Sequence, residues 1–494
     1  MFGCIFKSDI PKYAGKNYVV AGMQRRPFSL STNFKFPIVQ EIDIDRITEP
    51  SDEYIPSKHK TIVQSTLRII HLENVDYFKV ENCNTTKTLF RMLFYITKRS
   101  KGIVKDINLT ECVVSTVLGV EDSKVDIINV KINHLVTLKI YYDGWGTSNI
   151  YMRRSKVNMN SLQIKNSEMF SWFIWQRSTQ LTLNDLTITQ TEFKEIIIEM
   201  VDVTSNFSNI FLKKVKCHKN FIDSLKWSNY NCLRINNLKI IDSNFKEGHA
   251  VFYFTTRTIV KLEQVQIKNS NNVSALFKVL GGSSLTMVNI SISNMKHLQA
   301  MFTISSKHKM QIIHGLKIRN CSSVENIFKL SNGNRNITNV EIIDTISQNL
   351  MFSTYSDIWL KGFKVTSSLF TNNMMHFEGE EDQKVKLVAS EIKTENTTVI
   401  NNGLLIKHGN ITVNNFKLVK TKLGNILHAT KSGLILREVD IHQTKVQNVF
   451  SKSKASFNAF VLVESSKILL QKSRIRECSI DENMFFFCNP KKHP

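Results

Sequence analysis

Between residues 57 and 489 the chain has no proline; the seven it has are Pro11, Pro27, Pro37, Pro50, Pro56, Pro490 and Pro494. Proline cannot donate to a sheet ladder, so this gap leaves room for a long, uninterrupted hydrogen-bonded array and puts the non-repeating sequence at the ends. Glycine is sparse too, 18 residues in 494, and no Gly-rich phosphate loop is present, which argues against a nucleotide-binding enzyme. None of the eight cysteines stands as C-x-x-C, and the thirteen histidines have no metal-ligand spacing. Zinc and thioredoxin-type chemistry are therefore not indicated, and no cofactor or metal is expected. The N-terminus, MFGCIFKSDIPKYAGK, has no apolar h-region, and no segment is long and apolar enough to span a bilayer. The expectation is a soluble chain without a secretory address, or a piece of a longer gene product.

What is plentiful is positive charge: the formal balance is +23, most of it lysine. A polyanionic partner is one reading, whether nucleic acid, anionic polysaccharide or anionic membrane. Lys, Asn, Ile and Phe are all abundant while Pro, Gly and Ala are scarce, as an AT-rich genome would produce, and that bias accounts for the charge without a partner. Nucleic acid is not the expected ligand. Sequons stand at Asn84, Asn108, Asn206, Asn272, Asn289, Asn320, Asn336, Asn396 and Asn410, although so much Asn, Ser and Thr gives nearly as many by chance.

One phrase organises the chain. An apolar pair one residue apart is followed by a small polar residue, as in Val265-x-Ile267 before Ser270 and Leu316-x-Ile318 before Cys321. Its first apolar residue, the anchor, recurs every 23 to 34 positions: Phe78, Ile107, Val130, Leu162, Leu186, Leu212, Leu238, Val265, Ile290, Leu316, Val340, Phe363, Ser390, Phe416, Val439 and Ser473. Five residues after the anchor stands Cys, Ser or Thr in thirteen of the sixteen phrases, including Cys83, Cys112, Cys217, Cys321 and Cys478. A fixed period of this length is the mark of a solenoid.

Within each repeat the apolar residues alternate, as in Val260, Leu262 and then Ala275, Phe277, Val279, which is strand periodicity. A second ladder is expected twelve residues after the anchor: Phe90, Phe277, Phe302, Phe328 and Phe352. Two or three short strands per repeat predict an all-β, right-handed parallel β-helix solenoid of about sixteen rungs over 67–488, with an N-terminal segment and cap over 1–66 and a tail over 489–494. A leucine-rich-repeat solenoid is the alternative, because Leu262-x-x-Val265-x-Ile267-x-x-Ser270 meets most of its phrase. The leucine that should come next is missing, and the second half of each repeat reads as strand.

The rungs resemble those of pectin-lyase-like right-handed β-helix proteins. The Asn-rich, Lys-rich style, with endings such as ALFKV, AMFTI and NIFKL, resembles the large β-helix surface proteins of ciliated protozoa. That resemblance implies a cell-surface or extracellular place, with membrane attachment only through a region absent from this chain. Pectinolytic members use clustered carboxylates, which protonate a leaving oxygen and activate water. No convincing pair of acids on adjacent rungs is legible, and His408-Gly409 lacks the preceding glycine of a polygalacturonase-like motif. The acidic run Glu378, Glu380, Glu381 and Asp382, with His376 nearby, reads as a solvated turn.

Two surface features remain. The position after the anchor is often basic, at Lys79, Lys131, Lys239, Lys317, Lys364, Lys417 and Arg474, and stacking would align these into a stripe. Aromatic residues gather at Tyr141, Tyr142, Trp145, Trp172 and Trp175. Successive strand residues face opposite sides, so some of these rings should be exposed and suited to stacking on sugars. Arg153, Arg154 and Lys156 follow closely and favour an anionic sugar. The sequence therefore leads to a non-enzymatic surface or extracellular recognition or structural module, a glycoprotein that binds an anionic glycan or another surface protein. A carbohydrate-active β-helix enzyme and a leucine-rich-repeat binding module are the alternatives.

Overall fold

The structure, a computed structural model, describes residues 68–488 apart from 87–88, 138–140, 143–144, 147, 225–227, 247–249, 256, 271–273, 308–309, 447–458 and 481–482, together with short strands at Cys4–Ile5, Ser29–Leu30, Ile38–Val39 and Ile42–Ile44. The described residues hold strands and no helix. They form about 14 turns of parallel β-solenoid, divided between two compact units, 1–259 and 260–494. The solenoid fits a right-handed β-helix. The leucine-rich-repeat alternative falls, because strand fills the second half of the repeat, as in Trp172–Arg177 and Lys296–Ser305.

In the first unit the anchor strands Lys101–Thr110, Lys124–Asn133, Lys156–Lys165, Gln180–Thr189, Thr204–Lys213 and Asn231–Ile241 pair in parallel, each with the next. The second unit repeats the arrangement, for example through Val385–Glu395, Gly409–Val419 and Gly433–His442. Burial alternates along each strand but changes phase just before the anchor: Leu181 and Leu183 are buried, then Leu186 and Ile188. The residue that absorbs the odd step has left-handed backbone, Asp185 at φ 59°. Asp106, Asn129, Ser161, Asn209 and Asn237 hold this place in neighbouring turns, and Asn289, Gly315, Asn339, Gly362, Glu391, Asn415 and Glu438 hold it in the second unit. Four residues after the anchor the backbone turns left-handed again, at His134, Asn166, Gln190, Lys214 and Asp242 and at Asn294, Asn320, Asp344 and Asn396. Asn and Asp tolerate this region best among residues with a side chain, which gives the abundant asparagine a structural reason.

The small polar ladder follows each of these corners. The hydroxyls of Ser167, Thr191 and Ser243 donate to the carbonyls of Lys165 (2.7 Å), Thr189 (2.9 Å) and Ile241 (3.0 Å). Ser167 Oγ also accepts from the Leu135 amide of the preceding turn, at 3.0 Å. A small buried hydroxyl here satisfies corner groups that would otherwise be orphaned. An equivalent ladder at another corner, Ser100, Ser123, Ser155 and Thr179, is a feature the sequence reading did not find.

Register corrects several assignments. Cys83, not Phe78, pairs with Ile107; Ile210, not Leu212, pairs with Leu186 and Leu238; Ile392, not Ser390, pairs with Phe363 and Phe416. At Leu212 and Ser390 the slip is two residues, because apolar-x-apolar strands can be set two residues off with the same faces inward; Phe78 stands five residues before its turn's true anchor. Cys83 and Cys217 consequently leave the small-polar slot, whereas Cys112 and Cys321 stay in it. Burial pushes the Cys321 thiol up to about 11.

The aromatic ladder holds at its centre: Phe277, Phe302 and Phe328 are fully buried, with ring centroids 5.2 and 5.1 Å apart and planes within 6° and 18°. It ends there, because Met351 pairs with Phe328 while Phe352 pairs with Lys329 and packs edge-on against His376. The Phe90 side chain lies outside the described residues. A parallel ladder of amides runs through the second unit: Asn349 Nδ2 donates to Asn326 Oδ1 (3.0 Å), Asn402 Nδ2 to Asn373 Oδ1 (2.8 Å) and Asn425 Nδ2 to Asn402 Oδ1 (3.0 Å). Arg335 is wholly buried. Its guanidinium donates to the carbonyls of Ser331, Asn332 and Asn334, at 3.1, 2.6 and 3.0 Å, so backbone dipoles hold the charge.

Candidate functional site

The second strand of each turn in the first unit carries one column of large polar and aromatic residues. In register on successive turns stand Tyr95, Gly119, Tyr151, Trp175, Glu199, Asp223 and Tyr253. The flanking column Ile150, Ile174, Ile198, Ile222 and Phe252 points into the core, and strand alternation turns the ribbon away from it. Gly119 is there because the Tyr95 ring covers it: a Cβ would lie 2.8 Å from Tyr95 Cδ2. Tyr151 and Trp175 stack at 5.1 Å with planes 1° apart.

Below the aromatic pair lie the acids. Trp175 Nε1 donates to Glu199 Oε1 at 3.0 Å, and Asn220 Nδ2 donates to Asp223 Oδ2 at 2.7 Å. Glu199 is 2 % exposed and Asp223 7 %. Burial first, and the Asp223 carboxylate one turn away second, push Glu199 up to about 7. Burial pushes Asp223 up to about 6 against the Asn220 hydrogen bond and the Lys219 charge. Lys219 makes an ion pair with Glu195 at the edge of this group. Adjacent acids on neighbouring turns are what the sequence reading looked for and did not find. The usable signal was a spacing: Glu199 and Asp223 each stand two residues after a buried apolar residue, Ile197 and Phe221, as Trp175 does after Phe173 and Tyr253 after Val251.

Of the aromatic candidates, Trp175 is in the ribbon and 6 % exposed. Trp172 is half-buried on the same strand, and its Nε1 has no partner among the described residues. Tyr141–Tyr142 pairs antiparallel with Trp145–Gly146; the side chains of Tyr141, Tyr142 and Trp145 lie outside the described residues. The hairpin leads into Ser148–Arg153, where Ser148 pairs with Trp172 and Tyr151 with Trp175, so its base adjoins the ribbon. Arg153 and Arg177 are in register one turn apart, while Arg154 is held by both Asp122 oxygens at 2.6 and 2.7 Å.

The basic positions fall differently in the two units. In the first, Lys131 and Lys239 are exposed, but Gln163, Thr187 and Phe211 separate them in register, and Lys79 lies in another column with Glu81 at 2.8 Å. In the second, Lys317, Glu341, Lys364, Lys393, Lys417, Asp440 and Arg474 form one column. Glu341 sits between Lys317 and Lys364, 3.9 and 3.8 Å away, and Asp440 lies 3.2 Å from Lys417. Lys393 was missed because the anchor had been set at Ser390. In the acidic run, Glu378 pairs with Lys407 (3.1 Å), Glu381 with Lys431 (2.6 Å) and Glu380 with the Tyr355 hydroxyl. Among the described residues no group of three or more His, Cys, Asp or Glu side chains is arranged to hold a metal ion.

No protein-family model matches the chain, and no curated protein matches its sequence.

Proposed function

We propose that this chain is a recognition or structural β-solenoid module of a cell surface or extracellular matrix, and that its ligand face is the aromatic ribbon of the first unit, taking a glycan. The observation that carries this is the half-buried Tyr151 ring, backed flat by the buried Trp175 and in one column with the half-buried Tyr95. Aromatic faces cover the apolar side of a sugar ring while polar neighbours take its hydroxyls. Arg153 and Arg177 supply positive charge two residues along, which favours an anionic glycan or the anionic patch of another surface protein. The pectin-lyase-like and ciliate surface-protein resemblance points the same way.

The enzyme reading comes second. Glu199 and Asp223 have the chemistry of an acid pair, but 2 % and 7 % exposure leaves a substrate no approach. A glycan array with wild type, Tyr95→Ala and Tyr151→Ala tests the proposal. Wild type should bind anionic glycans, more weakly as salt screens the arginines, and each variant should lose about tenfold in affinity, the worth of one aromatic contact. No binding by wild type, or undiminished binding by both variants, would overturn it. Release of new reducing ends from a bound polysaccharide would move the enzyme reading to first place.

A further inference from the structure

Glu199 and Asp223 are more enclosed than recognition requires. They stand one turn apart on the same column, where strand spacing is about 4.8 Å. The groups that face them come from four turns: Trp175 above, Glu195 on the approach to Glu199's own strand, Lys219 and Asn220 on the approach to Asp223's, and Tyr253 below. Among the described residues, the cation that acts on both carboxyls is Lys219, and it is already paired with Glu195. Two ionised carboxylates cannot stay so close and so dry without a proton or a second cation.

We infer that Glu199 and Asp223 form a proton-holding pair, which keeps this part of the first unit closed in acid and lets it open as the medium turns neutral to alkaline. In the folded chain the pair keeps its protons to higher pH than carboxyls in an unfolded chain do. The closed form therefore binds more protons than the open form between the ordinary carboxylate range and about pH 7. Its stability is greatest below that window and falls as pH rises through it. What opens is the strand pair Ile198–Val201 and Ile222–Ser224, short segments that carry the two acids and separate Trp175 from Tyr253. Opening would expose Trp175, so a surface protein moving from an acidic to a neutral compartment would change the face it offers. The switch does not depend on the ribbon's ligand; only its use as a gate rests on the glycan reading.

The test uses no glycan, so its failure is distinct from failure of that reading. Hydrogen–deuterium exchange of the full chain, corrected for intrinsic exchange, is followed at about pH 5, where the folded pair still holds its protons, and at about pH 8, above the window. Peptides covering 195–200 and 219–224 should open about tenfold or more at the higher pH in wild type, and peptides around Phe302 should not. The double variant Glu199→Gln, Asp223→Asn should lose that difference. Lys219→Met, at a side chain 41 % exposed, should steepen it by removing the attraction both carboxylates feel. Equal opening at the two pH values in wild type, an unchanged pH difference in the double variant, or a shallower one in Lys219→Met would each overturn the inference. If the double variant does not fold, wild type and Lys219→Met still decide.

Discussion

Phe302 lies flat between Phe277 and Phe328, fully buried, with neighbours in contact on both faces. Phe302→Ala would open a ring-sized gap that stacked turns cannot close by sliding, since each is fixed by ladder bonds on either side. The cost should be about 3–5 kcal/mol. Because a turn touches only its neighbours, the loss should appear as early fraying of the second unit, with a lower denaturant midpoint. A wild-type midpoint would mean the stack carries no weight. This ladder was legible because Phe recurs at one distance from the anchor. Its end at Met351 was not, because Phe352 is one residue away and equally apolar. Glu199 and Asp223 were missed for a related reason. A search for acids near one another in sequence does not see a pair made neighbours by one solenoid turn.

At the scale of the element, the decisive residues are the ones with left-handed backbone. One set lies inside the anchor strand, just before the anchor, and the other follows its end, and they explain why this repeat is rich in Asn and Asp. Within the first unit the side chains before the anchor link turn to turn: Asn129 Nδ2 reaches Asp106 Oδ1 at 2.6 Å, and Asn237 Nδ2 reaches Asn209 Oδ1 at 2.8 Å. Gly315 fills the same place at φ 70°, and a Cβ there would meet the movable Asn289 Oδ1 at 2.8 Å. Gly315→Asn should therefore change stability by less than about 1 kcal/mol, since Asn accepts the conformation and can extend the ladder. Gly315→Val, with a branched side chain in left-handed backbone, should cost about 2 kcal/mol or more. Denaturant unfolding of the two variants checks this; a valine tolerated as well as asparagine would contradict it. Strand identity was readable from alternation with period two, but that same period allowed the anchors at Leu212 and Ser390 to be set two residues off. Asn209 and Glu391, the left-handed residues before Ile210 and Ile392, would have broken the tie.

At the scale of the whole molecule, the account rests on register: each turn repeats the last, with the same positions inward, outward and at the corners. The absence of proline from 57 to 489 and the recurring phrase made the solenoid legible, and the strand in its second half excluded helix. The number of turns was less so. About 14 form, against sixteen phrases in the sequence. The division at residue 259 left no mark in composition. The most direct test removes one turn. Phe416 and Val439 are in register, and Asn415 and Glu438 before them are both left-handed. Deleting residues 416–438 therefore joins equivalent points and should leave a β-rich circular-dichroism spectrum and a cooperative thermal transition near that of the intact chain. Deleting 416–437 leaves one residue too many at the join, misplaces the corner and should abolish or sharply lower that transition. Two deletions that melt alike, whether both stable or both unfolded, would contradict the in-register solenoid.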